Sequence, residues 1–128
     1  MSTVDYVKNF KSEIAPLVLA GLLRIVEERS DPSHFGDALI VLEGPQVRLR
    51  LIADRGQFFA DVASGATPPR WLPLRAVLPH VEKTGLGAGS GPWKTIGEVG
   101  QHLRDNFTAL EAFLNSGDPA LGRIPKAP

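Results

Sequence analysis

Cysteine is absent from the 128 residues, which excludes disulfides, thiolate metal sites and cysteine nucleophiles together. A long hydrophobic run is also missing. The longest, Ile14–Leu23, covers 10 positions and contains Pro16 and Gly21, whereas a bilayer span needs about 20 apolar residues. There is no excess of either charge, because 14 Lys and Arg balance 14 Asp and Glu. A neutral chain is a poor phosphate seeker. Nucleic acid is therefore disfavoured as a partner, with Arg48, Arg50, Arg55, Arg70 and Arg75 left to build any local basic patch. The start Met1–Thr3 carries neither the basic stretch nor the apolar run of a secretory signal, so the expected location is the cytoplasm, without membrane attachment. Nine Arg against five Lys, with abundant Ala, Gly, Leu and Pro, is the composition of a GC-rich bacterial source.

What is present suits one ordinary domain. Hydrophobic residues make up 43% of the chain and charged residues 22%, enough apolar surface for a core. Residues 1–20 read as an N-terminal helix. Val4, Val7, Phe10, Ile14 and Leu17 recur at three- and four-residue spacing, Ser2 or Thr3 is the expected cap, and Pro16 is expected to end or kink the helix. Residues 22–63 read as four strands with short connections, an antiparallel meander: Leu22–Arg29, Asp37–Glu43, Gln46–Asp54 and Gln57–Ala63. Gly44-Pro45 suggests a type II′ turn with positive φ at Gly44, and Arg55-Gly56 suggests a second two-residue turn.

These turns set a register. Leu42 faces Val47, Ile40 faces Leu49, Leu49 faces Val62, Leu51 faces Ala60 and Ala53 faces Phe58, giving one wholly apolar face. On the other face Arg50 lies opposite Asp61, Ile52 opposite Phe59, and Arg48 beside Val41. A three-residue turn at Gly56 would slip the last strand and bring Asp61 into the core. The two-residue turn is preferred because it buries no charge.

Residues 64–92 form a Pro- and Gly-rich crossover. Ala66–Pro73 has no periodicity and reads as a loop. Pro73–Lys83 reads as a short helix interrupted at Pro79, with Leu74, Val77, Leu78 and Val81 inward. Residues 93–117 hold the clearest element: Thr95 and Glu98 make a capping box, Ile96, Val99, Leu103, Phe107, Leu110 and Leu114 keep helical spacing, and Asn115-Ser116-Gly117 stops it. Residues 118–128, with three prolines, read as a tail. The expected fold is a two-layer α+β sandwich with the N-terminal, short and long C-terminal helices packed on one face of a four-stranded meander.

Chemical motifs are weak. The run Gly85–Gly91 resembles a phosphate loop only in composition, since a helix rather than a strand precedes it and Pro92-Trp93 separates it from Lys94. It reads as a linker. His34, His80 and His102 lack metal-ligand spacing, so no metal or cofactor is expected. Glu27 and Glu28 cluster with Asp31 near His34, but adjacent strand residues point to opposite faces and cannot share one acid–base site. No nucleophile elbow occurs, and no catalytic residue is assigned. Arg70-Trp71 and Trp93 read as a plug at the core edge.

The strongest functional signal is the outer sheet face, where Leu39, Val41, Ile52 and Phe59 mingle with Arg48, Arg50 and Asp61. Arginine among apolar and aromatic residues is the composition of interface hot spots. The expectation is a non-enzymatic bacterial interaction domain, of the immunity or chaperone type, binding a protein partner or a second copy of itself. The alternative is an enzyme or small-ligand binder with a pocket between the sheet and the Gly-rich linker. No motif in the chain is specific to one family.

Overall fold

The protein is described by a computed structural model over residues 6–31, 37–66, 68–81 and 92–127. Its elements run α1 (Tyr6–Leu19), β1 (Arg24–Asp31), β2 (Asp37–Glu43), β3 (Val47–Asp54), β4 (Gln57–Ser64), β5 (Leu72–Pro73), α2 (Leu74–Val77), a 3₁₀ turn (Leu78–His80), α3 (Ile96–Leu114) and α4 (Pro119–Arg123). The sheet is antiparallel with strands in sequence order, β1-β2-β3-β4-β5, and the fold is α+β. The fifth strand replaces the end of the expected crossover loop. Its two residues are too few to show alternation, and it forms because Leu72 and Pro73 lie opposite Val62 and Asp61.

Alternation along the strands separates two faces. Ala38, Ile40 and Leu42 of β2, Val47, Leu49, Leu51 and Ala53 of β3, and Ala60 and Val62 of β4 are buried. They meet Phe10, Ile14 and Leu17 of α1 and Val99, Leu103, Phe107, Leu110 and Leu114 of α3 in one cluster. The rings of Phe10 and Phe58 pack edge to face at 6.5 Å. Helix α1 continues through Pro16 to Leu19 instead of ending there, because its buried stripe on the sheet outweighs one missing backbone donor. Helix α3 starts as its capping pattern requires: the Glu98 N–H donates to Thr95 Oγ1 at 3.0 Å. The short helix restarts as a 3₁₀ turn at Pro79, with Leu74, Val77 and Leu78 buried.

The register differs from one strand pair to the next. Between β3 and β4 it is the expected one, with Arg50 opposite Asp61, Ile52 opposite Phe59 and Leu51 opposite Ala60. Arg55 (φ 51°) and Gly56 (φ 79°) both occupy the left-handed region, as a two-residue primed turn demands. Between β2 and β3 the register differs by two residues. Leu42 lies opposite Leu49, Ile40 opposite Leu51, Val41 opposite Arg50 and Glu43 opposite Arg48. The Gly44 N–H donates to the Val47 carbonyl at 2.8 Å, so Pro45 and Gln46 form the tip and Gly44 is not at positive φ. Glycine is required at 44 for another reason, since a Cβ there would collide with the main-chain carbonyl oxygen of Leu22.

One edge of the sheet is β1. A bulge between Ile25 and Glu27 and a line of charged residues (Arg24, Glu27, Glu28 and Arg29) interrupt it, devices that discourage strand addition. The other edge is β5, against which the C-terminal residues fold. They are not a tail: α4 is followed by a buried Ile124, and the Ala127 N–H donates to the Trp71 carbonyl at 2.9 Å. The expected Ser2 or Thr3 cap, Val4, His34 and the glycine run Gly85–Gly91 lie outside the described residues.

Candidate functional site

The outer face divides into two halves with different characters. Toward β5, Asp61 is only 6% exposed and Ala63 fully buried. Arg50 donates from Nε (3.0 Å) and Nη2 (2.7 Å) to Asp61 Oδ2, and its guanidinium lies over the Trp71 ring, 4.7 Å from the centroid. The expectation that Arg50 and Asp61 form a solvated pair is therefore corrected. Residues 70–73 turn back along β4 and set Trp71 against this end of the face, so the pair is withdrawn from water although the register that places it there is the expected one. Desolvation pushes the Asp61 carboxyl above its ordinary 3.8, while the hydrogen bonds and charge of Arg50 pull it down. Arg50 thus serves the fold and is engaged on both sides.

Farther along the same strands, at the level of Leu39, Ile52 and Phe59, the face is apolar and half-buried. Leu39 lies opposite Ile52, and Ile52 opposite Phe59, giving a row across three strands with Val41 beside it. Arg48 stands opposite Glu43 rather than beside Val41, and Glu43 also accepts from Arg24 Nη2 at 2.6 Å. At the end of this row lies a depression of about 460 Å³ lined by Arg29, Ser30, Asp37, Leu39, Ile52 and Asp54 among others. Its walls are Leu39 and Ile52 and its rim is charged. Asp37 Oδ1 accepts from the Arg55 N–H at 2.8 Å, and Arg29 Nε pairs with Glu27 Oε2 at 2.7 Å. An apolar lining within a polar rim is how protein–protein contact sites are built. The sequence pointed to Leu39, Val41, Ile52 and Phe59 through alternation. It did not point to Arg29, Asp37 or Asp54, which reach the depression only through strand pairing.

A second, smaller hollow of about 320 Å³ lies between α1, β4 and the start of α3, lined by Asn9, Ser12, Glu13, Phe58, Lys94, Thr95 and Ile96. The two histidines in view are dispersed. His80 is exposed and stacks on Phe113, with ring centroids 5.2 Å apart, and His102 leans on the buried Trp93. Arg75 lies over the same Trp93 ring and donates to the Pro92 carbonyl at 2.7 Å, so Trp93 is a core plug, whereas Trp71 belongs to the outer face. Glu28 pairs with Lys11 on α1 and Glu27 with Arg29, which keeps the two carboxylates apart. Among the described residues no group of three or more His, Asp or Glu is placed to hold a metal ion, and no helix is long and apolar enough to cross a membrane. Family models, curated proteins and solved structures yield no match to this chain.

Proposed function

We propose that the protein is a non-enzymatic interaction domain of a bacterial cell, docking a protein partner on the outer sheet face by way of the row Leu39–Ile52–Phe59 and the depression beside it. It would act by occlusion, as immunity proteins and chaperones do. The observation that carries this reading is the apolar row itself: three cross-strand neighbours, all half-buried, on the face opposite α1 and α3. A partner side chain in the depression would be desolvated against Leu39 and Ile52 while its polar neighbours meet Asp37, Asp54 and Arg29. Arg50 and Asp61 take no part, since they bind each other.

Phe59→Lys tests this. The change adds a charge to a half-buried surface position, so the melting temperature should fall by no more than a few degrees. A partner recovered from the source cells, then purified, should bind the variant roughly thirtyfold more weakly, corresponding to about 2 kcal/mol for a hot-spot aromatic. If the recovered partner binds Phe59→Lys as well as wild type, the surface is assigned to the wrong face. Self-association is read in the same experiment by sedimentation, where a homodimer across this face would dissociate in the variant.

A small-ligand reading is favoured by one observation, the hollow that places Lys94 and Glu13 near the exposed end of Phe58. Ligand-induced shifts confined to Phe58, Lys94 and Ile96 in an NMR screen would support it.

A further inference from the structure

The C-terminal residues carry more structure than a trailing end requires. Asp118 caps α4 by accepting from the Ala120 N–H at 2.8 Å, with Pro119 at the first helical position. Beyond α4, the Ile124 side chain is 5% exposed and belongs to the core cluster. Three hydrogen bonds then tie the segment to residues 70 and 71. Arg70 Nη1 donates to the Leu121 carbonyl at 2.9 Å and Nη2 to the Ile124 carbonyl at 2.8 Å. The Ala127 N–H donates to the Trp71 carbonyl at 2.9 Å. Trp71 directly precedes the outermost strand of the sheet, so this hydrogen bond sits beside the end of the sheet edge. Within α4 no residue is fully buried, although Leu121 packs partly buried against the core cluster, and the segment joins α3 through Asn115–Gly117, with Gly117 at φ 72°.

We propose that residues 118–127 are a strap filling, in cis, a peptide groove made of Arg70, the Trp71 carbonyl and the slot that receives Ile124. The groove's chemistry states what it takes. It needs one β-branched aliphatic side chain for the slot, two main-chain carbonyls three residues apart for the guanidinium fork, and a main-chain N–H for the sheet edge. Two of these three requirements are main-chain groups, so the groove reads a peptide's backbone as much as its side chains. A planar guanidinium with fixed donors suits a pair of carbonyls as no lysine would. While the strap is docked it also closes the β5 edge to other chains. An extended peptide with an isoleucine or valine at the position of Ile124 would compete for the same contacts. This groove does not involve Leu39, Ile52 or Phe59, so it stands apart from the docking row.

The test uses the full chain and a fluorescein-labelled synthetic peptide of residues 117–127 as probe. Ile124→Asp ejects the strap, because a carboxylate cannot stay in an apolar slot without a partner. The ejected variant should bind the peptide saturably by anisotropy, at least tenfold more tightly than the wild-type chain, whose own strap competes. Adding Arg70→Ala should weaken that binding tenfold or more, and a peptide carrying Asp in place of Ile124 should not bind. In the otherwise wild-type chain, Arg70→Ala alone should speed amide exchange at Ala127 while Leu49, Val62 and Leu110 stay protected. A folded Ile124→Asp chain that ignores the peptide overturns the proposal. So does global unfolding of that variant, or simultaneous loss of protection at Ala127 and Leu110 in Arg70→Ala, because either would make the segment an inseparable part of the core.

Discussion

Asp61 is the charged residue the fold buries among those described, and its behaviour with pH reports on its surroundings. Its pKa is raised by desolvation against the opposing pull of Arg50. A group that holds its proton more tightly folded than unfolded contributes most stability below its unfolded value, here 3.8, and loses that contribution as pH rises through the folded value. Asn in this position resembles the neutral acid and does not titrate. Relative to wild type, Asp61→Asn should therefore gain in melting temperature as pH is raised from 3.5 to 7. Arg50→Met has the opposite logic. It leaves a buried carboxylate without its counter-ion, at a cost of about 1.5–3 kcal/mol at pH 7, and that deficit should shrink toward pH 4 as the carboxyl takes up a proton. Urea melts of both variants at the two ends of this range check the pair, and an Arg50→Met deficit that grows in acid would contradict the assigned burial.

At the scale of elements, α3 supplies more buried side chains than any other helix and is the place where truncation should be felt most. Leu103→Ala and Phe107→Ala should each cost about 2–5 kcal/mol by leaving a cavity, read as a lower urea midpoint with unchanged slope. A melting temperature within a degree of wild type would remove α3 from the core. The β2–β3 turn makes a sharper test, because its glycine is demanded by a neighbour and not by its own φ. Gly44→Ala drives a Cβ into the Leu22 carbonyl oxygen, a backbone atom that cannot swing aside, and should cost about 1–3 kcal/mol as an overpacked site does. Gly65→Ala, at the residue after β4 that donates its N–H to the Gln46 carbonyl of this turn, is the control. Its Cβ would sit in ordinary contact, 3.4 Å from the Gln46 Cα and the Pro45 carbonyl oxygen, and should be nearly silent in the same thermal melt.

Across the whole molecule, the sheet separates two surfaces. The docking row crosses the outer face over β2, β3 and β4, and the strap packs beside the β5 edge. They share no residue, and Arg50 and Asp61 lie between them, held under the ring of Trp71, whose carbonyl the strap uses. Substitutions at well-separated sites add. The double variant Phe59→Lys with Arg70→Ala should accordingly show the summed stability change of the two single variants, to within about 0.5 kcal/mol. A larger departure in equilibrium melts would mean that the strap and the docking row are coupled through the residues between them.

Periodicity alone determined much of this protein. The α3 stripe, its Thr95 cap, the burial of Ile40, Leu49, Leu51 and Val62, and the half-buried row Leu39–Ile52–Phe59 all follow from local spacing, because helix and strand geometry convert spacing directly into faces. The β3–β4 register was also local, since Arg55-Gly56 supplies the left-handed pair that its turn requires. The β2–β3 register was not. A slip of two residues leaves every side chain on the same face, so the apolar pattern is blind to it. The choice falls to contacts from elsewhere: the Leu22 carbonyl against Gly44, and the Gln46 carbonyl accepting from the Gly65 N–H and Asn115 Nδ2. Only the tertiary structure could bury Asp61, continue α1 through Pro16 and dock Ile124, because each depends on groups on other elements, from ten to more than fifty residues away. The Pro-rich composition of residues 118–128 records poor helix and strand propensity, and it carries no trace of the Arg70 fork that holds them.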